Sequence, residues 1–554
     1  MMEIARYIKD RIAEAIGKMG LAHGRVPAFH LVPSKQSGHG DLATNVALIL
    51  ARELKKNPRD IAQSIVEAVD WDETYIQSVD IAGAGFINFT FSQGYLHGCL
   101  REILKLGERY GCTNWGGGKK TQVEFVSANP TGPLTIGHGR QAVLGDTIAR
   151  LLGATGHDVI REYYFNDAGR QMRVLGDSVR LRYQELLGQS ISFPEDYYQG
   201  EYIREIAGKA VEEKGNTLKD SEEISYFQNL AEKVIFEDIK KTVSRLGIVF
   251  DVYYNEKSLY ETGKIDAVVE ELRKKDLAYD ADGAVWFRTT RFGHEQDRVI
   301  IKSTGEPTYR LPDIAYHKDK MERGFDLVVD IFGADHVATY PDVLAGMEAL
   351  GYDPSRVKVL IHQFVTLMEG KEKVKMSTRK ANFVTLDELM DEVGVDVTRY
   401  FFLNRSMSSH LNFDLTLAKT QSEENPVYYV QYAHARICSI LRHAKKEGLD
   451  PEAESDLSLL TAPEEIDLIK VLTTYPGAVT AAAHDFEPHR VPTYLEELAT
   501  TYHHFQHAGK RDDDLRVVTK NIPLTLARLA LCRATRIVLA NGLSLLGISK
   551  PEKM

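Results

Sequence analysis

Residues 124–140 of the 554-residue chain read EFVSANPTGPLTIGHGR. The residues from Thr121 to Ser127 alternate between polar and apolar as a strand does, and the Asn-Pro-Thr-Gly-Pro sequence that follows predicts a turn. Beyond the turn, Leu144, Ile148 and Leu151 recur at the spacing of a helix face. The stretch therefore predicts a strand, a glycine-rich turn and a helix.

A junction of this kind favours an anion, because unpaired N–H groups and the positive end of the helix dipole point into the crevice above a parallel sheet. Gly137 and Gly139 would let a phosphate or a flat base approach the backbone, and His138 could donate a hydrogen bond to phosphate oxygens. A plain turn with a surface histidine has the same residues, so Gly-His-Gly alone does not decide between the two interpretations.

The surrounding residues carry a family resemblance. The stretch 127–140 resembles the His-Ile-Gly-His signature of class I aminoacyl-tRNA synthetases, in the form found in arginyl-tRNA synthetases. Residues 375–389, KMSTRKANFVTLDEL, resemble the family's Lys-Met-Ser-Lys-Ser loop. Two signatures in this order, more than 200 residues apart, are far more specific than either one alone. Thr135 and Thr378 depart from the general pattern, which has histidine and lysine there, so other cations such as Arg379 or Lys380 must compensate.

The resemblance implies a multidomain α/β protein whose catalytic domain is a Rossmann-like, doubly wound sheet. Together with the helix and strand patterns it predicts an N-terminal α+β domain at 1–112 that contacts tRNA, a catalytic domain at 113–365 with a helical insertion at about 169–262, a connective segment at 366–420 that carries the mobile loop, and a helical anticodon-binding bundle at 421–554. Within the catalytic domain, Val285–Phe287 and Asp326–Phe332 are predicted strands of the parallel sheet.

Specificity for arginine can be argued from charge. A guanidinium is a planar fork of donors that carboxylates match best. Glu124 and Asp313 are the candidate acids, although Asp313 could instead cap a helix after Pro312. By motif position, the resemblance assigns the arginine site to Glu124, Ser127, Asn129, His138, Tyr309 and Asp313.

The ATP site is expected at the carboxyl ends of the parallel strands, where open α/β sheets bind their ligands. The residues that the resemblance implies for ATP are Pro130, Gly132, Gly137, His138, Gly333, Asp335, His336, Lys375, Met376 and Ser377. Those implied for catalysis are Thr135, Gly137, His138, Lys375 and Ser377. A flexible cationic loop could close over the triphosphate and neutralise the departing pyrophosphate.

The C-terminal region has a local basic surplus, because seven Lys or Arg residues face three Asp residues between Gly509 and Ala540. Aromatic side chains interleaved with cations suit the unstacked bases of an anticodon loop. By motif position, the tRNA-binding residues are Gln431, Tyr432, Arg436 and Met554. Tyr428 and Tyr432, one helical turn apart, could instead be packing residues.

Composition bounds the remaining expectations. With 43% hydrophobic and 27% charged residues the chain is ordinary for a globular protein, and its net charge of −11 requires any nucleic-acid surface to be local. No apolar run approaches a membrane span, and the N-terminus lacks the apolar core of a signal peptide. Four widely spaced cysteines indicate free thiols and no structural metal. We expect a cytoplasmic monomer without membrane contact.

The function that follows is the ATP-dependent ligation of L-arginine to tRNA(Arg), with ATP and Mg²⁺ as the substrate complex. Arginyl-adenylate forms first, and the 2′-hydroxyl of the terminal adenosine then attacks it. Two alternatives stay open. Another class I synthetase or a nucleotidyltransferase of the same fold would give no reason for carboxylates at 124 and 313. A non-catalytic paralogue would bind tRNA without consuming ATP.

Overall fold

The computed structural model describes residues 2–19, 26–33, 40–334, 337, 339–370, 372–374 and 384–554. The predicted fold class is confirmed: a parallel α/β sheet lies between an N-terminal α+β region and a C-terminal bundle of helices. The helices are α1 (Met2–Lys18), α2 (Val46–Leu54), α3 (Pro58–Glu67), α4 (Gln93–Leu106), α5 (Ile136–Ala154), α6 (Gly169–Leu186), α7 (Glu201–Lys214), α8 (Ser225–Arg245), α9 (Lys257–Glu261), α10 (Lys264–Lys274), α11 (Arg310–Glu322), α12 (Tyr340–Leu350), α13 (Leu386–Val393), α14 (Val395–Leu403), α15 (Leu415–Lys419), α16 (Pro426–Lys446), α17 (Pro463–His484), α18 (Arg490–Arg511) and α19 (Ile522–Leu546).

Within the ranges given above, the strands form four sheets. They are β1 (Leu31–Pro33), β2 (Leu42–Thr44), β3 (Ile76–Ala82), β4 (Phe86–Phe91), β5 (Lys120–Glu124), β6 (Asp158–Phe165), β7 (Val252–Asn255), β8 (Ala278–Ala281), β9 (Ala284–Phe287), β10 (Arg298–Ile301), β11 (Leu327–Gly333), β12 (Val357–His362), β13 (Val365–Glu369), β14 (Glu372–Lys373) and β15 (Leu411–Asp414).

The central sheet has the order β12-β11-β5-β6-β7, and all its neighbouring strands are parallel. Strand β5 lies in the middle, with Val123 opposite Val329 of β11 and opposite Arg161 of β6. The chain first winds from β5 towards β7 and later returns to the other side of β5. This reversal opens a crevice at the carboxyl end of β5, where the predicted signature begins.

One predicted strand belongs to a different sheet. Val285–Phe287 lies in β9, which pairs antiparallel with β8 and β10 in a separate three-stranded sheet, so its assignment to the parallel sheet was wrong. A short apolar run fits either kind of sheet, because both bury it. The other predicted strand, Asp326–Phe332, corresponds to β11 of the central sheet.

The helical insertion lies between β6 and β7. Helices α6, α7 and α8 pack on one another, and Tyr202 of α7 donates a hydrogen bond from its hydroxyl to the carbonyl oxygen of Thr131, at 2.8 Å. The predicted range of about 169–262 also contains β7 and α9, and β7 is part of the central sheet. The insertion proper is therefore shorter than predicted, and it touches the signature turn directly.

The C-terminal bundle consists of α16 to α19, and α4 from the other end of the sequence packs against it. Tyr110 donates from its hydroxyl to the carbonyl of Leu472, and His97 Nε2 lies 3.0 Å from the carbonyl oxygen of Leu460. By length and composition α19 could cross a membrane, but 61% of its apolar window is buried inside the protein. A central helix of a bundle has the same properties.

Two buried arginines link the catalytic sheet region, the helical insertion and the C-terminal bundle. Arg140 of α5 donates to the carbonyl oxygens of Gln363, Ser406 and Ser409, at 2.6, 3.0 and 3.0 Å. Arg399 of α14 donates to the carbonyls of Leu246 and Leu546, each at 2.7 Å, and to Asp146 Oδ2 at 2.6 Å. Because helix ends leave carbonyls unpaired, Arg399 satisfies the end of α8 and the end of α19 with one side chain.

Candidate active site

The signature turn leaves β5 through two strained residues. Val126 and Ser127 have φ angles of +68° and +42°, the left-handed region that β-branched residues rarely adopt. The turn is held by hydrogen bonds: Ser127 Oγ donates to Glu124 Oε1 at 2.9 Å and accepts from the N–H of Tyr164 at 3.2 Å. The strain lies where the chain turns from the sheet into the crevice, which is typical of a functional site.

His138 lies in the first turn of α5. Its Nδ1 accepts a hydrogen bond from the N–H of Thr135 at 3.2 Å, so the proton of the neutral ring is on Nε2. The ring can therefore serve as an N–H donor to a phosphate oxygen while its other nitrogen is fixed to the backbone. Thr135 is the N-terminal cap of the same helix, and its part in catalysis remains a prediction.

The surroundings of the three signature glycines differ. Among the described residues, a Cβ on Gly137 would meet only Thr135 Oγ1, at 3.6 Å, so this position is open to a ligand. A Cβ on Gly139 would lie 2.5 Å from Leu386 Cδ1 and 3.1 Å from Phe402, so Gly139 serves packing and not the approach of a nucleotide. A Cβ on Gly132 would lie 3.1 Å from the hydroxyl of Tyr202. Pro130 beside it is buried.

A buried ion network lies under the turn. Lys320, fully buried on α11, donates to Glu124 Oε2 at 2.6 Å and to Asp330 Oδ1 at 2.7 Å. His317 Nε2 is 2.8 Å from Asp330 Oδ2. Burial raises the pKa of Glu124. Burial would also raise the pKa of Asp330, but the charges of Lys320 and His317 outweigh this effect and hold the pKa of Asp330 well below its usual range. Glu124 therefore already has a cationic partner in the absence of substrate.

Two other acids at the crevice have none. In the described chain, no cation lies within ion-pair distance of the Asp313 or the Glu256 carboxylate. Burial, with help from Glu256 and Glu124 and against His317 and Lys320, raises the pKa of Asp313 to about 7. Burial likewise raises the pKa of Glu256, although its oxygens accept from Tyr164 at 2.6 Å and from Asn166 at 2.8 Å. Such a pair of acids suits a cationic ligand.

Glu256 and the signature turn share one hydrogen-bond network. Asn129 Oδ1 accepts from the N–H of Asn166 at 3.0 Å, and the Asn166 amide in turn donates to Glu256. Asn129 Nδ2 donates to Gln171 at 3.1 Å. Tyr309, at the start of α11, is 86% exposed and is not part of this network. The structure thus brings together Glu124, Ser127, Asn129 and Asp313 of the predicted arginine residues, but not Tyr309.

The predicted ATP residues are only partly described. Gly333 ends β11 at the carboxyl edge of the central sheet, as expected. Asp335, His336, Lys375, Met376 and Ser377 lie outside the described residues. The segment that follows the loop is fixed to the signature, because Thr385 pairs with Thr135 in a β-bridge and the N–H of Leu386 donates to the carbonyl of Leu134 at 2.8 Å.

Comparison with known proteins places these features in a family. The model of the class I tRNA synthetase (R) catalytic domain matches residues 100–407, the arginyl tRNA synthetase N-terminal domain matches 6–91, and the DALR anticodon-binding domain matches 430–554. The arginine–tRNA ligase of Desulfotalea psychrophila is 55% identical over 94% of both chains, and that of Bacillus subtilis is 47% identical over 100% of both.

The chain belongs to the arginyl-tRNA synthetase family. The solved arginyl-tRNA synthetase of Thermus thermophilus has the same fold, with a TM-score of 0.79 at 23% identity over 99% of this chain and 100% of that one. The family and the fold that the two signatures predicted are therefore confirmed.

Within this synthetase fold, Glu256, Tyr164 and Asn166 were missed by sequence reasoning. Glu256 directly follows β7, and Asn166 directly follows β6, so both are at the carboxyl edge where ligands bind. The sequence does place a polar residue directly after each of these two strands, which could have indicated a ligand site. Strand β7 was not recognised as part of the sheet because it has only four residues and follows the helical insertion.

The anticodon-binding region of this synthetase requires one correction. Gln431, predicted to contact tRNA, is 8% exposed, and its amide donates to Asp396 at 2.8 Å and to Ser549 at 3.0 Å. It is a structural link between α16, α14 and the C-terminus. By contrast, Arg436 and Met554 are exposed. The rings of Tyr428 and Tyr432 are parallel within 6° at 6.2 Å, so they form a partly exposed stack.

Proposed function

We propose that this chain activates L-arginine with ATP and transfers the arginyl group to tRNA(Arg). The observation that carries the specificity is the pair of acids Asp313 and Glu256, neither of which has a cationic partner in the described chain; Glu256 is joined through Asn166 to Asn129 in the turn before His138. A guanidinium would supply the missing charge and several donors at once.

Glu124 has a different part in this proposal. Because Lys320 already neutralises it, Glu124 orients Ser127 and, through Ser127, the strained turn. Asn129 would hold the amino or carboxylate end of the substrate. Tyr309 would reach the ligand only after its exposed ring moves, so it is proposed as a cover over the bound arginine.

In the first step, an oxygen of the arginine carboxylate attacks the α-phosphorus of ATP, and the bond from this phosphorus to the bridging oxygen of pyrophosphate breaks. In the second step, the 2′-hydroxyl of tRNA attacks the activated carbonyl and AMP leaves. Little covalent chemistry falls to side chains, so positioning and electrostatics dominate. His138 donates to the α-phosphate from Nε2, the start of α5 contributes its N–H groups, and Lys375 and Ser377 are proposed to contact the departing phosphates.

Magnesium is proposed to enter with ATP. Within the described ranges, no group of three His, Cys, Asp or Glu residues is arranged to hold a metal ion. Mg²⁺ commonly keeps its waters and is bound mainly through substrate phosphates, so a dedicated protein site is not required. Bound with the nucleotide, it would neutralise charge on the phosphates.

The insertion gives a physical route for tRNA to control activation. Tyr202 donates a hydrogen bond to Thr131 inside the signature turn, so a tRNA that shifts α7 would shift the ATP site.

We propose that the insertion and the N-terminal region contact tRNA and that Tyr432, Arg436 and Met554 lie near the anticodon. We also propose that the enzyme works as a cytoplasmic monomer. We propose that the boundaries between the functional domains lie at residues 112, 365 and 420.

The test is an aminoacylation assay with each of the twenty amino acids and total tRNA. Arginine alone should be attached, with one AMP and one pyrophosphate formed for each arginyl-tRNA. Attachment of another amino acid, or tRNA binding without ATP consumption, would refute the proposal. Pyrophosphate exchange should require tRNA; exchange by the protein alone would refute the part given to the insertion.

A further inference from the structure

A cavity of about 550 Å³ at the far end of α5 has no part in this chemistry. Its walls come from the linker after α4, from the last turn of α5, from β6 and from the helices α17 and α19. Because α5 rises by about 1.5 Å per residue, the cavity is roughly 20 Å from His138. It is therefore separate from the site of arginine and ATP.

The lining has an excess of positive charge. Arg150, Arg161 and Lys550 line the cavity, and Glu108 is the one acid among the lining residues that the structure describes. His157 also lines it; burial, together with Lys119, lowers the pKa of His157, so the ring is counted as neutral. The lining thus has a formal charge of about +2 at neutral pH.

The neighbouring carboxylate does not remove this excess. Asp146, 1% exposed, is shared by Arg399 at 2.6 Å, Arg150 at 2.7 Å and Arg161 Nε at 3.5 Å. One carboxylate thus faces three guanidinium groups. Arg161 has the longest of these distances, and it is the guanidinium best able to accept another anion.

The rest of the lining is apolar or neutral. The buried ring of Tyr475 and the side chains of Val159 and Leu545 form part of the wall. The volume lies within the range of about 300–1,000 Å³ for small-molecule sites and is much larger than a single inorganic ion needs. A ligand that carries a doubly negative group on an apolar or planar remainder would match both the cationic and the apolar part of the lining.

We propose that this cavity binds an organic phosphate of mononucleotide size, with its phosphate between Arg161 and Lys550. A phosphate monoester carries a charge of about −1.5 to −2 at pH 7, which balances the lining, whereas a monocarboxylate would leave charge unmatched. The bound molecule would touch the signature helix and the C-terminal bundle at the same time.

Cys112 provides a reporter for occupancy. Cys112 lines the cavity and is exposed as a residue, with its sulfur partly covered, whereas Cys99, Cys438 and Cys532 are buried. Alkylation by the neutral reagent N-ethylmaleimide should therefore occur first at Cys112. Since burial raises the pKa of this thiol, the reaction is best followed at pH 8 to 8.5, with peptide mass spectrometry to identify the labelled site.

The experiment measures the rate of Cys112 alkylation in the full-length protein with AMP, pyrophosphate, citrate or sodium chloride at equal ionic strength. At ten times its Kd, AMP should slow the reaction about tenfold, because about one site in eleven stays open. The protection should persist in His138→Ala, because that residue lies at the other end of α5. Equal protection by citrate or chloride would overturn the assignment to phosphate.

Variants keep the test decisive. Arg161→Gln and, independently, Lys550→Gln should reduce the protection by AMP at least severalfold. Lys550 is an exposed residue near the C-terminus, so its variant should fold even if Arg161→Gln does not. Lys274→Gln, at an ion-paired lysine that is 78% exposed on α10, is the matched control and should keep full protection. No slowing by AMP in the unmodified chain, or unchanged slowing in Lys550→Gln and Arg161→Gln, would overturn the proposal.

Discussion

Asp313 and Lys320 are charged residues on one helix with opposite arrangements. Lys320 is buried between two carboxylates and is neutralised within the protein. Asp313, two turns earlier, has no cation beside it in the described structure, and its pKa is raised to about 7. In the first arrangement, removal of one partner would be costly, because it would leave an uncompensated buried charge. The second leaves the folded protein less stable but ready for a cation.

Replacement of this unmatched acid should weaken arginine binding. Asp313→Asn should raise the KM for arginine roughly 30- to 5,000-fold, since loss of a buried charge partner costs about 2–5 kcal/mol. The KM for ATP should change little. Pyrophosphate exchange in the presence of tRNA measures both constants. Glu261→Gln, at a surface acid that is 63% exposed, is the control. An unchanged KM for arginine would remove Asp313 from the pocket.

Arginine binding should also depend on pH near neutrality. Because the folded pKa of Asp313 is raised to about 7, its carboxylate is charged above that pH and becomes neutral as the pH falls through 7. The attraction for guanidinium is therefore present above pH 7 and is lost below it. The KM for arginine should be about tenfold higher at pH 6 than at pH 8. In Asp313→Asn this pH dependence should disappear; if it persists unchanged, another group is responsible.

At this scale, sequence reasoning can name candidate residues but not their partners. Asp313 and Asn129 were named from the guanidinium and motif arguments, and their parts in arginine binding remain predictions, whereas the pairing of Glu124 with Lys320 could not be anticipated. Lys320 lies 196 residues from Glu124 along the chain, and no local pattern encodes such a contact. Gln431 shows the same limit, since its partner Ser549 is 118 residues away.

Helix α5 shows how one element serves two neighbours. Its N-terminal turn faces the crevice, and the segment after the predicted loop is bonded beside it through Thr385 and Leu386. Gly139 brings α5 close to Leu386 and Phe402. The local strand, turn and helix were predictable because their periodicity is contained in 34 consecutive residues, from Thr121 to Ala154. The docking of α13 was not, because it depends on tertiary packing.

Two glycines of α5 provide a matched comparison. Gly139→Ala should destabilise the protein by about 1–3 kcal/mol, because its new methyl group would overlap Leu386 and Phe402. It should also lower kcat by disturbing the anchor after the loop. The new methyl group of Gly153→Ala meets nothing within 4 Å in the part of the chain that the structure describes, so this change should stabilise the same helix by up to about 1 kcal/mol. Thermal melting with activity assays measures both; equal effects of the two substitutions would contradict the packing role.

The whole molecule is more closely joined than a division into successive domains suggests. Asn541 of α19 donates to the carbonyls of Gly107 and Tyr110, and Lys470 of α17 pairs with Asp41 at 2.8 Å. Arg399 links α14 to the ends of α8 and α19. Sequence reasoning found the bundle from its amphipathic helices, but amphipathicity does not say which helices share a face.

These contacts predict the result of truncation. A chain that ends at residue 420 should not form a stable catalytic unit, because it exposes the apolar side of α4 and leaves Asp146 and Arg399 without the packing of α19. Protease resistance and melting of the purified fragment, relative to the full chain, provide the measurement. Addition of residues 421–554 as a separate chain should restore resistance. A cooperative melt of the fragment alone, within a few degrees of the full chain, would contradict the prediction.

The packing of α4 against α17 and α19 also has a consequence during synthesis. Leu96, Leu100 and Ile103 are buried in the finished protein, yet the helices that cover them are made more than 350 residues later, as the separation of His97 from Leu460 shows. At about 5–20 residues per second, the ribosome needs roughly 20–90 s to reach α19. Throughout that interval the apolar side of α4 is exposed to solvent in the nascent chain. We therefore expect a holding chaperone to bind the nascent chain at α4.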